Sequence, residues 1–335
     1  MKKLVSFLVL FFVSFSFALS DDIILGLKQK DSYVSNALTF EKKKIEYENL
    51  KITADSTISK LSAEVQYYSA LSQFQNGESN FFKSVVSILF SLNINKLNLQ
   101  IKKLSYENAK LSYENSKELY EKNLISKAEW LKAEYDLKNA EYNLKLAQKN
   151  FEDSLSDFRK YFDFDENFIL DVNFIDLKIT TNVEELPDYK VQLLNYQILY
   201  DEYMVEKDYL SESEKRQKEI DLQISKINLE DLKESIEKSI SSFNDELELI
   251  KKELEVLEAN RKYQEENLNY TKVRYEKGLV EKSQYNQAQI SYLNALLQIE
   301  NKKMNYITKL IDISKYSERS IEDILKEALV INWGD

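Results

Sequence analysis

One phrase occurs twice in this sequence, as "LYEKNLISKAEW" at Leu119–Trp130 and as "RYEKGLVEKSQY" at Arg274–Tyr285. The two copies lie 155 residues apart, and the same offset continues downstream to Ala140 and Ala295. Solenoid repeats have periods of roughly 20–50 residues, so a period this long describes half of a fold rather than a small stacking unit. We therefore predict a duplicated structure made of two tandem halves.

The scarcity of turn-forming residues indicates what these halves are made of. The chain has 4 Gly and 1 Pro in 335 residues, whereas average usage is roughly 7% and 5%. All-β domains need a turn about every 8–12 residues, and this chain has few residues that favour one. Because 31% of the residues are charged, with Lys and Glu prominent, we predict long helices with solvated faces.

Apolar residues around both copies recur with alternating spacings of three and four, which is the heptad pattern of a coiled coil. After Asn123 they are Trp130, Ala133, Leu137, Ala140, Leu144, Ala147 and Phe151, and in the second copy Tyr285, Ala288, Tyr292, Ala295, Ile299 and Tyr306. Before Gly278 they are Leu247, Ile250, Leu254, Leu257 and Leu268, and Arg261, Gln264 and Thr271 occupy the other positions of the same stripe. Each half is therefore predicted to contain a long antiparallel helical hairpin.

The repeated phrase itself is predicted to be the tip of each hairpin. Gly278 suits the left-handed residue that ends a helix, and Asn123 is the next-best residue for that position. Ser126 followed by Glu129 is a capping box that begins the next helix, whereas Glu281 occupies the cap position in the second copy.

Apolar residues occupy both of these turns, where polar residues are usual: Leu124, Ile125, Leu279 and Val280. Two interpretations are open. The apolar side chains either staple each turn to its own helices, or they present an apolar surface to another protein.

The N-terminus has the pattern of a signal peptide. Lys2 and Lys3 precede an apolar stretch, Leu4–Val13, and the small residues of Ala18–Ser20 fit a cleavage site before Asp21. A membrane anchor is the alternative, but the apolar stretch is shorter than the ~20 residues that span a bilayer. We expect an exported protein, and without Cys its fold has no disulfide.

These boundaries divide the chain into four segments. Residues 1–20 are the signal peptide, 21–160 the first repeat, 161–187 a connector, and 188–335 the second repeat. The connector breaks the heptad pattern, ends at the single proline, and is expected to be irregular or briefly extended.

Strand signals are few. Ala63–Leu71 and Lys83–Ile94 are alternating or β-branched and flank "SQFQNGES", so they are predicted to form one hairpin, although Lys83–Ile94 equally suits the start of a helix. In the second half only Glu219–Leu229 qualifies. The predicted fold is mainly α, with long coiled-coil hairpins in two tandem repeats and a small, incomplete β region.

Covalent chemistry is not expected. With no His and no Cys, the usual general base, thiolate nucleophile and zinc ligands are missing. Carboxylates spread along helix faces are better explained as solvated surface. We therefore expect no enzyme, no cofactor and no metal site. The net charge of −11 argues against nucleic-acid binding, which favours a basic surface.

With its signal peptide, tandem halves and paired tips followed by Ala-rich heptads, the chain resembles the TolC-type outer-membrane efflux family. The resemblance implies a homotrimer whose helices form a passive tunnel across the periplasm below an outer-membrane barrel. It also implies that the tips meet a periplasmic adaptor linked to an inner-membrane transporter. The alternative is an exported coiled-coil spacer that has lost the barrel.

The resemblance also suggests where functional residues lie. Adaptor docking falls on the two tips: Asn123, Leu124, Ile125, Ser126, Gly278, Leu279 and Val280. Acidic residues that narrow the tunnel mouth in some family members correspond here to Gln284 and Gln287, and Glu276 or Glu281 are possible substitutes. An ordinary solvated surface is the alternative for these glutamates.

Overall fold

The computed structural model describes residues 16–18, 20–177, 179 and 182–333. Most of the predicted signal peptide therefore lies outside the described residues. In chain order the elements are β1 Ser16–Ala18, α1 Asp21–Lys28, α2 Asp31–Thr53, α3 Thr57–Glu121, α4 Lys127–Tyr161, β2 Phe168–Val172, a 3-10 helix Val183–Glu185, α5 Pro187–Glu206, α6 Glu212–Glu276, α7 Lys282–Ser314, α8 Ile321–Ala328 and β3 Leu329–Trp333.

The duplication is visible in the helix boundaries. Helices α3 and α6 both contain 65 residues, and both their first and their last residues are separated by the 155-residue offset of the repeated phrase. Helices α4 and α7 begin at the same offset. At a rise of 1.5 Å per residue, each 65-residue helix is about 98 Å long.

The helices form a layer that is four helices wide. Helix α3 packs against α4 and α2 on one side and against α7 and α5 on the other, and α6 packs against α7 and α5. Helices α4 and α2 meet end to end, because Lys30 donates from Nζ to the carbonyl oxygen of Lys160 at 2.7 Å. One edge of the layer is therefore α4 followed by α2, and the other edge is the single helix α6.

An aromatic ladder joins α2 to α3. Three ring pairs recur every seven residues along both helices, with centroid distances between 4.8 and 5.3 Å: Tyr33 with Phe81, Phe40 with Phe74, and Tyr47 with Tyr67. Such pairs contribute roughly 0.5–1.5 kcal/mol each beyond the burial of their area. The ladder fixes α2 as an antiparallel partner of the first part of α3.

The main core lies at the middle of the layer. The three strands form one antiparallel sheet in the order β1-β3-β2, in which Leu170 is opposite Ile331. Leu170 and the sheet pack on fully buried Phe90, Phe158 and Tyr306 from α3, α4 and α7. The small β region was thus predicted correctly in size, but β1 and β3 arise from segments that were not predicted as strands.

The strand predictions for the first half were wrong. Ala63–Leu71, Lys83–Ile94 and the loop predicted between them are all part of the continuous helix α3. Alternating apolar residues are ambiguous over so short a run. In α3 these residues pack as a helix instead, because the aromatic rings of α2 and the central core cover the faces that a helix exposes.

Gly77, which lies in the segment predicted as a loop, has a packing role within α3. A Cβ at this position would lie 2.5 Å from the Asn36 side-chain amide nitrogen on α2. That amide nitrogen donates to the carbonyl oxygen of Phe74 at 3.1 Å. The glycine therefore permits a close approach of two helices rather than a change of chain direction.

The strand prediction for Glu219–Leu229 was also wrong, because the segment lies within α6. Its isoleucines, Ile220, Ile224 and Ile227, are spaced by four and three residues, which is helical spacing, and all three are exposed. The helix also has a capping box at its start, in which the Ser211 side chain accepts from the Glu214 backbone and the Glu214 side chain accepts from the Ser211 backbone. None of the helices in the described part of the chain combines the length and the apolar character that crossing a bilayer requires.

Candidate functional site: the two hairpin tips

Both hairpin tips end their first helix with the same backbone motif. Asn123 and Gly278 adopt φ angles of 58° and 68°, as predicted. In the first tip the backbone N–H of Leu124 donates to Leu119 at 2.8 Å, and in the second the N–H of Leu279 donates to Arg274 at 2.9 Å. Together with the N–H bonds of Asn123 and Gly278, these are Schellman motifs, which satisfy the last carbonyl groups of a helix.

The second helix of each hairpin begins differently. Ser126 and Glu129 form the predicted capping box, and their mutual hydrogen bonds hold the pKa of the Glu129 carboxyl below its usual range. Glu281 occupies the equivalent position in the second tip without a side-chain cap on the helix, as expected from the sequence. The first tip is therefore the more strongly capped of the two.

A stacked aromatic pair closes each tip. Tyr120 stacks on Trp130 with a centroid distance of 5.2 Å and an interplanar angle of 8°, and we call this pair the first clamp. Tyr275 stacks on Tyr285 at 5.1 Å and 7°, and this pair is the second clamp. The clamps join the two helices of each hairpin one turn from the tip, so the turn conformations do not depend on the apolar turn residues alone.

The four apolar turn residues divide into two classes. Leu124 and Leu279 are 66% and 63% exposed, whereas Ile125 and Val280 are half-buried. The stapling interpretation therefore fits Ile125 and Val280, and Leu124 and Leu279 are left as matched apolar side chains at the ends of the two tips.

The residues considered for a tunnel mouth lie around the second tip and are exposed: Glu276, Glu281, Gln284 and Gln287. The Glu281 carboxylate accepts a hydrogen bond from Ser283 Oγ at 3.3 Å. Among the residues that the structure describes, no group of three or more acidic side chains is placed to hold a metal ion.

A buried polar link between the two hairpins was not anticipated from the sequence. Asn286, on α7 just above the second tip, is 2% exposed and donates from Nδ2 to Oδ1 of Asn108 on α3 at 2.9 Å. Asn108 donates in turn to the carbonyl oxygen of Ser283, and Lys282 pairs with Glu107 at 3.3 Å. Because the link joins residues that are 178 positions apart, no local pattern could have indicated it.

The link also shows that the tips lie at different heights. We measure height along the layer from the first tip. Asn108 precedes Tyr120 by twelve residues on α3, so the start of α7 is about 18 Å above the first clamp. The first tip therefore protrudes further than the second along the axis of the layer.

Comparison with known proteins identifies the fold. No family model and no curated protein match the sequence. Solved structures do: a membrane protein from Pseudomonas aeruginosa is 9% identical, with 90% of this chain and 94% of that chain covered and a TM-score of 0.53. The outer membrane protein VceC from Vibrio cholerae is 8% identical, with coverages of 92% and 96% and a TM-score of 0.53.

CusC, whose structures were described in connection with transmembrane channel formation, is 9% identical, with coverages of 90% and 93% and a TM-score of 0.52. At these identities the similarity establishes the fold, which is that of the TolC-type outer-membrane channels. The resemblance inferred from the repeated tips is confirmed at this level.

Proposed function

We propose that this chain is one subunit of a trimeric, TolC-like exit duct for efflux or secretion. Three copies enclose a passive tunnel with its helical body in the periplasm and its outer end at the outer membrane. The hairpin tips dock on an adaptor protein, and the inner-membrane transporter supplies energy and substrate choice. The observation that carries this proposal is that both edges of the layer have exposed apolar stripes.

The stripe on α6 contains one large apolar residue every seven positions. Its members are between 63% and 67% exposed: Leu249, Val256, Tyr263 and Tyr270. A second set of apolar residues on α6 is buried and faces the rest of the layer; it includes Leu247, Ile250 and Leu254. A helix with two heptad stripes is suited to two helical neighbours, and within the described residues a neighbour covers only one of them.

The opposite edge has a matching stripe on α4. Its exposed members are Leu131, Tyr135, Tyr142 and Leu146, and they lie away from the seam of Ala133 and Ala147. A contact between α4 of one copy and α6 of the next is heterologous, because it joins two different surfaces, and repeating it gives a ring when the rotation between copies closes. The edges of a single layer therefore support assembly around a central tunnel.

The clamps set the register expected for this contact. Leu146 lies sixteen residues above Trp130, so it is about 24 Å above the first clamp. Tyr285 of the second clamp is next to Asn286, so the second clamp lies about 18 Å above the first. Tyr270 precedes Tyr275 of the second clamp by five residues on α6 and lies about 7.5 Å above it. Leu146 and Tyr270 are thus within about one helical turn of the same height.

Disulfide cross-linking tests the ring directly, since the chain has no Cys of its own. We expect the double variant Leu146→Cys with Tyr270→Cys to form covalent dimers and trimers under mild oxidation and nothing larger. Within one chain, α3 and α7 lie between α4 and α6, and neighbouring helix axes are about 8–10 Å apart. The two cysteines of one chain are therefore much further apart than the ~7 Å Cα–Cα limit for a disulfide, so any disulfide must join two copies. Leu146→Cys with Leu249→Cys is the control, because Leu249 lies about 32 Å above Tyr270.

Two results would refute the proposal. Equal cross-linking of both pairs indicates random collision, and a monomer with no cross-linked product indicates that the edges do not meet. An exported coiled-coil spacer without a tunnel predicts no ion conductance from the cross-linked trimer in planar bilayers. The exit duct predicts conductance that persists in the trimer.

A further inference from the structure

We propose that removal of the signal peptide uncovers one edge of the small sheet, where an extended segment of a partner protein then adds as a strand. The small residues of Ala18–Ser20 predict cleavage before Asp21, so the strand β1, Ser16–Ala18, belongs to the part that is removed. The inference rests on the export that the proposed function requires, but it does not depend on the ring or on the hairpin tips.

Strand β1 covers one edge of β3. The sheet order is β1-β3-β2, and β1 pairs antiparallel with β3 so that Phe17 is opposite Ile331. Among the residues that the structure describes, no other strand lies on that side of β3. Removal of β1 therefore turns β3 from a central strand into an edge strand, whose N–H and C=O groups another extended chain can pair with.

The hydrogen bonds on the β2 side show which backbone groups of β3 lose their partners. The N–H of Asn173 donates to the carbonyl oxygen of Ala328 at 2.8 Å, in register with the ladder between β2 and β3. Because successive residues of an antiparallel strand point these groups to opposite sides, Val330 and Asn332 direct theirs towards β2. Ile331 directs its N–H and C=O towards β1, and Ile331 is only 2% exposed. Cleavage thus leaves a donor and an acceptor of a core residue unpaired, which is costly.

The opposite edge of the sheet, on β2, is protected by side chains instead. The carbonyl oxygen of Leu170, which points away from β3, accepts a hydrogen bond from Lys303 Nζ at 3.0 Å. The N–H of Val172 donates to the Asp171 carboxylate at 2.9 Å. Charged side chains at an edge hinder the addition of a further strand. The β2 edge is therefore closed, whereas the β3 edge is open once β1 has been removed.

The new N-terminus does not replace β1, because it begins in a helix. Helix α1 starts at Asp21, directly at the predicted cleavage point, and the Asp21 carboxylate pairs with Lys326 on α8. At the other end of α1, Lys28 pairs with Glu322 of α8. These two ion pairs hold α1 along α8, so the open edge is left for a segment from outside the chain.

The chemistry of this segment follows from the position that it fills. β1 pairs through three residues, whereas β2 pairs with all five residues of β3, so the open site takes a short segment. The position opposite Ile331 lies on the face that Ile331 buries in the core, and it therefore favours an apolar residue. The positions opposite Val330 and Asn332 lie on the other face, where both residues are half-buried. The occupant is an extended protein segment that runs antiparallel to β3 with an apolar residue at its centre.

Mass spectrometry and hydrogen exchange test the uncovering of the edge. We expect the chain purified from the cell envelope to begin after Ala18, and we call it the processed chain. Its matched control is exported with a separate signal peptide that is cleaved before Ser16, so this covered chain keeps β1. Amide exchange in Leu329–Trp333 should be faster in the processed chain, because the Ile331 N–H has lost its acceptor. An envelope chain that retains Ser16, or equal exchange in the two chains, overturns the inference.

A peptide with the sequence of Ser14–Ser20, lengthened by two lysines for solubility, tests strand addition. We expect saturable binding to the processed chain by fluorescence anisotropy, and little binding to the covered chain. N-methylation of the Phe17 amide should weaken binding about tenfold, because it removes the donor to Ile331. N-methylation of the Ala18 amide, which points away from β3, should change binding much less. No binding to the processed chain, equal binding to both chains, or equal effects of the two methyl groups overturns the inference.

Pairing of β3 with a second copy is the competing outcome. Processed chains that associate with one another, and that the peptide separates, assign the edge to a second copy and overturn the role of a partner protein. The ring is tested separately, since Leu146→Cys with Tyr270→Cys reports on α4 and α6. Absence of that cross-link removes the duct and leaves peptide binding to β3 unchanged.

Discussion

Replacing both tip leucines with aspartate tests the proposed adaptor docking separately from hairpin stability. Leu124 and Leu279 are 66% and 63% exposed, so about a third of each side chain is in contact with its own hairpin. Full burial of a leucine contributes about 1.5–3 kcal/mol, and a third of it about 0.5–1 kcal/mol. The double variant Leu124→Asp with Leu279→Asp should therefore lose only ~1–2 kcal/mol of apolar contact, plus about 0.3–1 kcal/mol per carboxylate for its position near a helix C-terminus.

These contacts are lost only in the last turns of the helices, which open locally without unfolding the rest of the chain. The clamps and the Asn286 link remain in place. We therefore expect thermal unfolding followed by circular dichroism, and trimer formation measured by size exclusion, to change little. Export and chemical cross-linking to the adaptor should be lost.

The matched control is Ile125→Asp with Val280→Asp. These side chains are half-buried, so the control should unfold at a lower temperature than the leucine variant. The reasoning is refuted if the leucine variant is the less stable of the two, or if it retains both export and adaptor cross-linking. The first outcome would identify the leucines as staples, and the second would place docking elsewhere.

Three further predictions concern stability, measured by denaturant unfolding. Gly278→Ala should lower the free energy of unfolding by about 1–2 kcal/mol, because the new Cβ has open space around it and only the left-handed backbone opposes it. Gly26→Ala also places its Cβ in open space, but in a helix, so it should be neutral or stabilising. Gly77→Ala should destabilise the native chain but stabilise an Asn36→Ala background by up to ~1 kcal/mol, because the clash is then gone and helix propensity remains. Glu300→Gln should raise stability at pH 7 and change it little at pH 4.

The pH dependence follows from the surroundings of Glu300. Burial raises the pKa of this carboxyl, the nearby Lys303 only partly opposes the effect, and Oε2 is buried without a hydrogen-bond partner. In the unfolded chain the carboxyl ionises near its ordinary pKa of about 4.3. The native chain therefore loses stability as pH rises from that value towards the raised pKa, and the glutamine variant lacks this loss.

Lys303 keeps a partner in the glutamine variant, since it pairs with Asp171 at 3.1 Å. A pH profile that is unchanged by Glu300→Gln would contradict the assignment. For the Asn36 cycle the contrary result is that Gly77→Ala destabilises both backgrounds equally. Equal changes in stability from Gly278→Ala and Gly26→Ala would contradict the role of the left-handed backbone at Gly278.

The sequence alone determined the parts of the fold that local chemistry specifies. The left-handed residues at Asn123 and Gly278, the capping box at Ser126 and the heptad seams of the hairpins all depend on residues within a few positions of one another. A turn or a helix seam is encoded in a short window, and the 155-residue offset showed that the same window was used twice.

Tertiary structure decided whether short apolar runs became strands or helices. Ala63–Leu71 has an alternating pattern, but the rings of α2 and the continuity of a 65-residue helix outweigh its local preference. The β3 strand likewise forms because β2, more than 150 residues earlier in the chain, is placed beside it. Pairing partners at such separations are set by packing, which no window of the sequence contains.

Packing also decided which apolar residues are buried. The seven-residue spacing of Leu249, Val256, Tyr263 and Tyr270 is visible in the sequence beside the spacing of the buried seam. Either stripe of α6 has the periodicity to face α7. Only the position of α7 on one side of α6 shows which stripe lies inside the layer and which lies exposed on its edge, because a helix presents two apolar stripes equally well until a neighbour covers one of them.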